Sequence, residues 1–492
     1  MSIDRPSARL PSGFVDARAG DVLARQEMIE KIVSVYRLYG FEGLETPAIE
    51  YLDALGKHLP DEDAPDQGVF AFRDDDDQWI ALRYDLTAPL ARMVAQAGQN
   101  LTRPFRRYQV GPVWRREKPG PGRFRQFYQC DFDTVGSASV AVDAEVCAVL
   151  SAALEAIGIP RGDYVVRVND RRVLTGILDR GGIVDPATQL TVLRAVDKLD
   201  RLGVAAVGEL LGPGRTDKSG DITPGAGLDD TQVAAVLAFV QAGGGSRDDV
   251  LGRLADLVGD DATGRAGVDE LVRMGALLDA MGLDAAQVAF DPTVVRGLAY
   301  YTGPVFEAEL TFETIDEKGR KRAFGSVAGG GRYDDLIQRF TGEKVPACGA
   351  SLGVDRLLAA LRARSTEDSA PRGPVVVTVM DAARVGEYQA MVAELRGAGI
   401  AAELYPDDRS FKAQMKYADR RRAAAAVIAG SQEFEAGEVI VKDLALGEQL
   451  AKDIADRDEW RNAQPAQQSV PRGDLIATVS AIVARLGDTA QG

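Results

Sequence analysis

Histidine is nearly absent from this chain of 492 residues: there is one, His58. A Ser-His-Asp triad, a histidine-rich metal centre or a histidine proton relay would each have to run through that side chain. It lies in ALGKHLPDEDAPD, a charged, proline-containing stretch that reads as a solvated loop. Cysteine is scarce too: Cys130, Cys147 and Cys348 are widely separated and odd in number. They support neither a disulfide framework nor a zinc site, and they suit a reducing cytoplasm. No run approaches the roughly 18–20 apolar residues a membrane helix needs. The opening MSIDRPSARLPSG lacks the apolar core of a signal peptide. Two nucleotide signatures are also missing, the GxxxxGK(S/T) loop and a GxGxxG between strand and helix. Chemistry in this chain is therefore expected to run on arginines, carboxylates, amides or a bound metal.

What is present is an ordinary globular composition, 46% hydrophobic and 27% charged, long enough for two to four domains. Lys and Arg number 58 against 74 Asp and Glu, a net charge of −16. The positive charge is unevenly spread. Residues 103–125, RPFRRYQVGPVWRREKPGPGRFR, hold Arg103, Arg106, Arg107, Arg115, Arg116, Lys118, Arg123 and Arg125 against the single acid Glu117. Gathering that charge costs self-repulsion unless an anion is bound there, and arginine suits bidentate contact with phosphate. Strand alternation is expected to aim these arginines into one space. A second basic stripe, Lys412, Lys416 and Arg420, shares one helix face, with Arg409, Arg421 and Arg422 close by.

Hydrophobic spacing predicts a long amphipathic helix over 16–38, and Pro47 interrupts helix in FEGLETPAIEYLDAL. Residues 61–77, dense in acids, read as an exposed excursion. From Trp79 to Gly136 short strand-like runs alternate with turns, which favours an antiparallel sheet. DYVVRVND, PVFEAELTF and GASLGV add strands, and AGGGRYDD (328–335) reads as a tight turn where two backbones approach closely. The expected organisation is a discontinuous core, 1–170 and 286–363, around a helical insertion, 171–285, with the glycine-rich LGPGRTDKSGDITPGAG as a flexible joint. A polar linker, 364–373, leads to an α/β domain with a mostly parallel sheet, 374–492.

Five ordered segments carry a resemblance. FEGLETPAIEYLDAL is similar to motif 1 of class II aminoacyl-tRNA synthetases, VWRREKPGPGRFRQFYQCDFDTVG to motif 2, and GASLGVDRLLAAL to motif 3. VVRGLAYYTGPVFE and AGGGRYDDL resemble two signatures of the histidyl-tRNA synthetase family, and KAQMKYAD, VIAG and VIVKDL resemble the class II anticodon-binding domain. The resemblance implies an α+β fold: an antiparallel sheet flanked by helices, the helical insertion, and a C-terminal α/β anticodon-binding-like domain. It implies a histidine–tRNA ligase, which forms histidyl-adenylate and pyrophosphate from histidine and ATP, then transfers histidine to the 3′ end of its tRNA. The implied partners are histidine tRNA and a second copy of the chain through motif 1, with Mg²⁺ accompanying ATP, no membrane, no DNA and a cytoplasmic location.

By the same resemblance Arg115 contacts the α-phosphate and the amino-acid carboxylate, Arg356 holds the far end of ATP, and Arg296 acts at the reacting α-phosphate. Arg123 and Arg125 line the triphosphate, Glu117 reads the adenine side and Phe127 stacks on it. Asp133 and Tyr301 grip the two imidazole nitrogens, Asp85, Thr87 and Gln129 hold the α-ammonium, and Tyr300 sits beside the pocket. Joining a carboxylate to a phosphate brings two anions together, so fixed positive charge matters more there than an acid or base. Three departures stand out: Ala299 replaces the aspartate usual in the RGL-D-YY signature, and Asp85 and Asp133 are shorter than the glutamates of many members. The competing reading is a non-catalytic paralogue that binds histidine as regulatory subunit of ATP phosphoribosyltransferase. Such paralogues lack the signature arginines and the anticodon domain.

Overall fold

A computed structural model describes residues 7–55, 68–120, 122–216, 220, 222–297, 300–315, 321–364, 372–405, 407, 409–453 and 466–488. His58, Ala299 and residues 365–371 of the expected linker lie outside the described residues. The chain forms two compact units, Met1–Thr366 and Glu367–Gly492.

The first unit opens with α1 (Ala19–Leu38), whose Met28, Ile32 and Tyr36 are buried at helical spacing. There follow β1 (Glu42–Gly43), β2 (Ile49–Tyr51), α2 (Leu52–Leu55), β3 (Ala71–Arg73), β4 (Trp79–Leu82) and α3 (Thr87–Ala97). Part of the presumed acidic excursion is thus a strand: β3 pairs with β4, and β2 completes a small three-stranded sheet. Apolar alternation in AFR and WIAL outweighs the acids beside them.

The main body is an eight-stranded sheet. Its long strands are β5 (Phe105–Trp114), β6 (Gln126–Val135) and, after α4 (Val140–Ala156), β7 (Tyr164–Asp170). The insertion follows as α5 (Arg171–Arg180), α6 (Pro186–Val196), α7 (Leu199–Leu211), β8 (Gly214–Thr216), β9 (Ile222–Pro224), α8 (Asp230–Val240), α9 (Arg247–Val258) and α10 (Ala262–Ala280). Asp170, Asp185, Asp229, Ser246 and Asp261 each accept a hydrogen bond from an N–H of the helix they precede, so these helix starts are written locally. Within the expected joint, β8 and β9 pair antiparallel, and Gly227 N–H donates to Gly212 C=O at 2.8 Å. The insertion shares one hydrophobic core with the sheet, Val173, Leu174, Leu254 and Leu271 clustering with Val166 and Val168.

The sheet is completed by β10 (Val288–Phe290), β11 (Pro304–Ile315), β12 (Lys321–Arg332) and, after the short α11 (Gln338–Thr341), β13 (Ala347–Gly353), which leads into α12 (Val354–Arg364). Strand order is β1-β5-β6-β13-β12-β11-β7-β10. All inner pairings are antiparallel, and only the two edge strands pair in parallel. AGGGR is the end of β12, not a turn. Its backbone does lie close to a neighbour: a Cβ on Gly331 would stand 2.6 Å from the Tyr301 ring. One face of the sheet is covered by α1, α4 and α12. Phe132 there packs against Tyr36 and Phe41 with ring centroids 5.0 and 5.4 Å apart.

The second unit has its own core, formed among others by Val375, Val377, Tyr388, Val392, Val427, Val441 and Val479. Its five-stranded sheet is built from β14 (Val375–Val377), β15 (Ala402–Leu404), β16 (Ala425–Ile428), β17 (Glu438–Asp443) and β18 (Gln467–Pro471), with α13 (Val385–Gly397) and α14 (Phe411–Arg420) between the early strands. The sheet is mixed, not mostly parallel: β14 pairs in parallel with β15 and β16, but β16–β17 and β17–β18 are antiparallel. The connection from β16 to β17 holds only the helix Ser431–Ala436, too short for the dozen or so residues of a parallel crossover.

Candidate active site

The pleat of β6 sorts its side chains. Cys130 and Phe132 turn to the helices, while Phe127, Gln129, Asp131 and Asp133 share the opposite face. Across β5 lie Arg107 opposite Asp133, Gln109 opposite Asp131 and Gly111 opposite Gln129. Across β13 lie Gly349, Ser351 and Gly353, and β12 continues with Gly331 and Gly329, the latter opposite Glu307 of β11. The glycines keep this floor low. A Cβ on Gly349 would meet the Asp133 Oδ1 at 2.2 Å.

One end of the floor is acidic. Asp85 ends the approach to α3, and its Oδ1 accepts from the N–H groups of Thr87 at 3.1 Å and Ala88 at 2.9 Å. Burial pushes the Asp85 carboxyl upward, against those backbone bonds and the pull of Arg115. Asp133 is 2 % exposed. Its Oδ2 is 2.7 Å from Arg107 NH2, whose side chain is fully buried, and its Oδ1 accepts from the Tyr333 hydroxyl. Burial pushes the Tyr301 hydroxyl up, with Asp133, Asp85 and Asp131 adding to the effect. Tyr301 therefore stays protonated among three carboxyls. Tyr300 packs edge-on against it at 5.4 Å and lies 5.8 Å from the Tyr333 ring. Gln129 donates from Nε2 to Ser351 Oγ at 2.8 Å.

The other end is basic. Arg115 leaves β5 with its Nε bonded to the Tyr84 carbonyl at 3.0 Å, its guanidinium 5.3 Å above the Phe127 ring and 3.9 Å from Glu117. Arg296 pairs with Glu307 at 2.9 Å, half of the arginine side chain remaining exposed. Arg356 donates to the Phe324 carbonyl at 2.8 Å. Burial first, then the repulsion of Arg123 and Arg296, pulls Arg356 below the ordinary arginine value, against the opposite influence of Glu307 and Glu117. Arg123 and Arg296 thus crowd Arg356, from segments far apart in the chain, with Glu307 and Glu117 acting against them, and Arg115 adjoins through Glu117. Such like-charge crowding is costly unless an anion binds.

The basic run does not aim as a whole into this space. Arg106, on the helix-facing side of β5, pairs with Glu145 at 2.8 Å, and Arg107 is ion-paired through NH2 to Asp133. Alternation separates neighbouring residues, so a charged run on a strand splits between its faces. Arg125 donates to the carbonyls of Glu117 and Ser12 at 3.2 and 3.3 Å, and its N–H bonds Gly13 C=O at 2.8 Å. Gly13, at φ +83°, has no room for a Cβ against Arg125 and Pro119. The segment before α1 therefore braces the loop between β5 and β6. Arg107, Asp131, Tyr333 and Glu307 were not singled out from the sequence; the same-face spacing of Gln129, Asp131 and Asp133 was the available signal for Asp131. In the second unit, Lys412, Lys416 and Arg420 are exposed on α14, opposite the buried Gln414 and Ala418. Arg409 and Arg421 are paired to Asp407 and Glu403.

Comparison with known proteins agrees with this geometry. The family profile described as histidyl-tRNA synthetase matches residues 13–357, and the profile described as anticodon binding domain matches 374–481. The chain is 57% identical over 483 residues to the histidine–tRNA ligase of Cereibacter sphaeroides, covering 96% of this chain and 97% of that one. It is 56% identical to the ligase of Dinoroseobacter shibae, covering 98% of each. The solved histidyl-tRNA synthetase of Nostoc sp. PCC 7120 aligns with a TM-score of 0.73 at 29% identity, over 97% of this chain and all of that one. A Bacillus halodurans structure described as an ATP phosphoribosyltransferase regulatory subunit/histidyl-tRNA synthetase aligns at TM-score 0.66 and 21% identity, over 84% of this chain and 97% of that one, a likeness of fold alone.

Proposed function

The chain belongs to the histidyl-tRNA synthetase family, and from that premise we propose how its residues divide the work. Near-full-length identity to histidine–tRNA ligases makes it the catalytic enzyme and not the regulatory paralogue. The observation that carries the assignment of roles is the polarity of one sheet face. Asp85, Asp131 and Asp133 against Arg107 give a net negative end; Arg115, Arg123, Arg296 and Arg356 against Glu117 and Glu307 give a net positive end. Arg115 stands between them, drawn electrostatically to both Asp85 and Glu117.

A histidine laid along this floor places its ammonium by Asp85, Thr87 and Gln129, and its ring by Tyr301, Tyr300 and the buried acids. Its carboxylate then points to Arg115, beside the α-phosphate of ATP. Phe127 offers a stacking face for adenine, with Glu117 at its edge. Arg296 and Arg115 hold the α-phosphate as the histidine carboxylate attacks it, Arg123 and Arg356 hold the departing pyrophosphate, and Arg125 supports the loop. Charge moves from the carboxylate onto phosphate oxygens during this step, so donors fixed beforehand stabilise the transition state without reorganising. The adenylate then passes histidine to the terminal ribose of its tRNA, the phosphate oxygen serving as base.

Among the described residues no group of three or more His, Cys, Asp or Glu could hold a metal ion. Mg²⁺ is the ion expected to accompany ATP. The C-terminal domain binds the anticodon arm, with the α14 stripe supplying phosphate contacts. Ile49, Tyr51 and Phe72, exposed on one face of the β2-β4-β3 sheet, form the apolar surface that a second copy would cover. No described helix is long and apolar enough to cross a membrane. The three cysteines are buried and unpaired, as suits a reducing cytoplasm.

The experiment is exchange of labelled pyrophosphate into ATP with each of the twenty amino acids offered separately. Histidine alone is expected to support it. Exchange driven equally by another amino acid would refute the pocket assignment.

A further inference from the structure

Arg171 opens the helical insertion, directly after β7, and its surroundings differ from those of the arginines beside it. Arg172 is taken up by the fully buried Asp170 and, at 2.8 Å, by Glu270 of α10. Arg167 pairs with Asp291 and Glu309. Arg171 pairs with no carboxylate among the described residues, and burial alone pulls it below the ordinary arginine value. Withdrawing a cation from water without a counter-ion is costly. Among the described residues its guanidinium meets one acceptor: NH1 donates to the Gly297 carbonyl at 2.9 Å.

That carbonyl is the hub of the turn that follows Arg296. It also accepts from the N–H groups of Tyr300 at 2.8 Å and Tyr301 at 3.2 Å. Gly297 sits at φ +70°, and a Cβ there would stand 2.2 Å from the Tyr301 ring, so ring and peptide fix each other's place. The far end of the same segment is held by the Arg171 main chain, whose N–H donates to Gly303 C=O at 3.2 Å. Upstream, Val168 C=O accepts from Asp291 N–H at 2.8 Å, and Asn169 Nδ2 donates to the carbonyls of Pro292 and Val294 at 3.2 and 3.0 Å. Val168, Asn169 and Arg171 thus fasten the chain in order as it returns from the insertion to the sheet. Resting on the ligase reading above, we propose that Arg171 is a positioning residue for adenylate formation: it holds both ends of the segment 297–303, and so sets Arg296 toward the α-phosphate and Tyr300 and Tyr301 toward histidine.

Placement of the other groups separates this role from ATP binding. Half of the Arg296 side chain is exposed beyond its pair with Glu307, so the main chain that carries it decides where the guanidinium can reach. A reacting group displaced by about 1 Å can cost on the order of 100-fold in rate. Phe127, Arg123 and Arg356 lie on β6, the loop before it and α12, so the grip on the rest of the nucleotide does not pass through Arg171.

The test is Arg171→Met in the full-length protein, which keeps an unbranched stem without a donor. The Gly297 carbonyl retains its two backbone donors and a buried, unpaired charge is removed, so the variant is expected to fold. Amide hydrogen exchange of the unliganded protein should be at least about tenfold faster at Tyr300 and Tyr301, the effect of one lost charge-assisted hydrogen bond, and unchanged along β5 and β6. In pyrophosphate exchange kcat should fall about 10–100-fold and KM for histidine should rise, with KM for ATP within about twofold of the parent. A mere loss of folded protein would lower kcat and leave both KM values alone. Arg171→Lys returns a cationic donor and is expected to recover part of both signals. Unchanged amide protection at Tyr300 and Tyr301, an unchanged KM for histidine, or an Arg171→Met that fails to fold would each overturn the assignment, as would Arg171→Lys behaving no better than Arg171→Met. If the turn loosens as expected but the unaltered protein shows no histidine-dependent exchange, the ligase reading fails while the hold of Arg171 on the turn stands.

Discussion

Replacing Arg296 with alanine should abolish histidine-dependent pyrophosphate exchange, by about 10³–10⁵-fold, the range seen when an arginine is taken from a transferring phosphoryl group. The argument rests on where the charge is needed. Arg296 is anchored to the floor through Glu307 but keeps half its surface open, and it stands close enough to Arg356 to depress that residue's basicity. A guanidinium held this way is preorganised for an anion and contributes little to folding. With one partner half-exposed, the Arg296–Glu307 pair contributes no more than about 0–1 kcal/mol to stability after solvent screening. The variant should therefore melt within a few degrees of the parent and keep its oligomeric state. Arg296→Lys separates charge from shape: lysine restores a point charge without the planar fork, so partial recovery is expected. Exchange by Arg296→Ala within tenfold of the parent would remove this residue from the chemistry.

Removing residues 374–492 should uncouple the two half-reactions. Histidine-dependent exchange is expected to stay within about threefold. Charging of tRNA at limiting concentration should fall on the order of 100-fold, or about 2.7 kcal/mol of lost binding. Two observations set that expectation. The two units have separate hydrophobic cores, so the deletion leaves the first core whole, and every residue assigned to histidine or ATP lies in the first unit. The exposed α14 stripe and the anticodon-binding profile match both lie in the second. Equal losses in exchange and charging would instead show that the second unit supports the first structurally.

How far the sequence reveals these sites depends on the range of the determining interaction. The helix starts at Asp185, Asp229 and Ser246 are set by one side chain meeting an N–H two or three residues away, so they can be read locally. The order of the motif segments, and the arginines within them, were legible through family likeness; Arg115 directly follows β5, Arg296 lies on the approach to β11 and Arg356 is on α12. What could not be read was register. Nothing local says that Arg107 stands opposite Asp133, a pairing across the β5–β6 hairpin that makes one arginine of the basic run a buried counter-ion. The mixed sheet of the second unit was misjudged for a related reason: strand direction follows from connection length, and the six-residue helix between β16 and β17 carries no strong signature of its own.

The most direct measurement of the central claim is a crystal structure of the full-length protein with histidine and a non-hydrolysable ATP analogue. The account predicts Arg115 and Arg296 within about 3.2 Å of α-phosphate oxygens, Arg356 and Arg123 on the far phosphates, and the imidazole over the acidic end of β6. A nucleotide bound away from β6, or one touched by none of Arg115, Arg296 and Arg356, would contradict it.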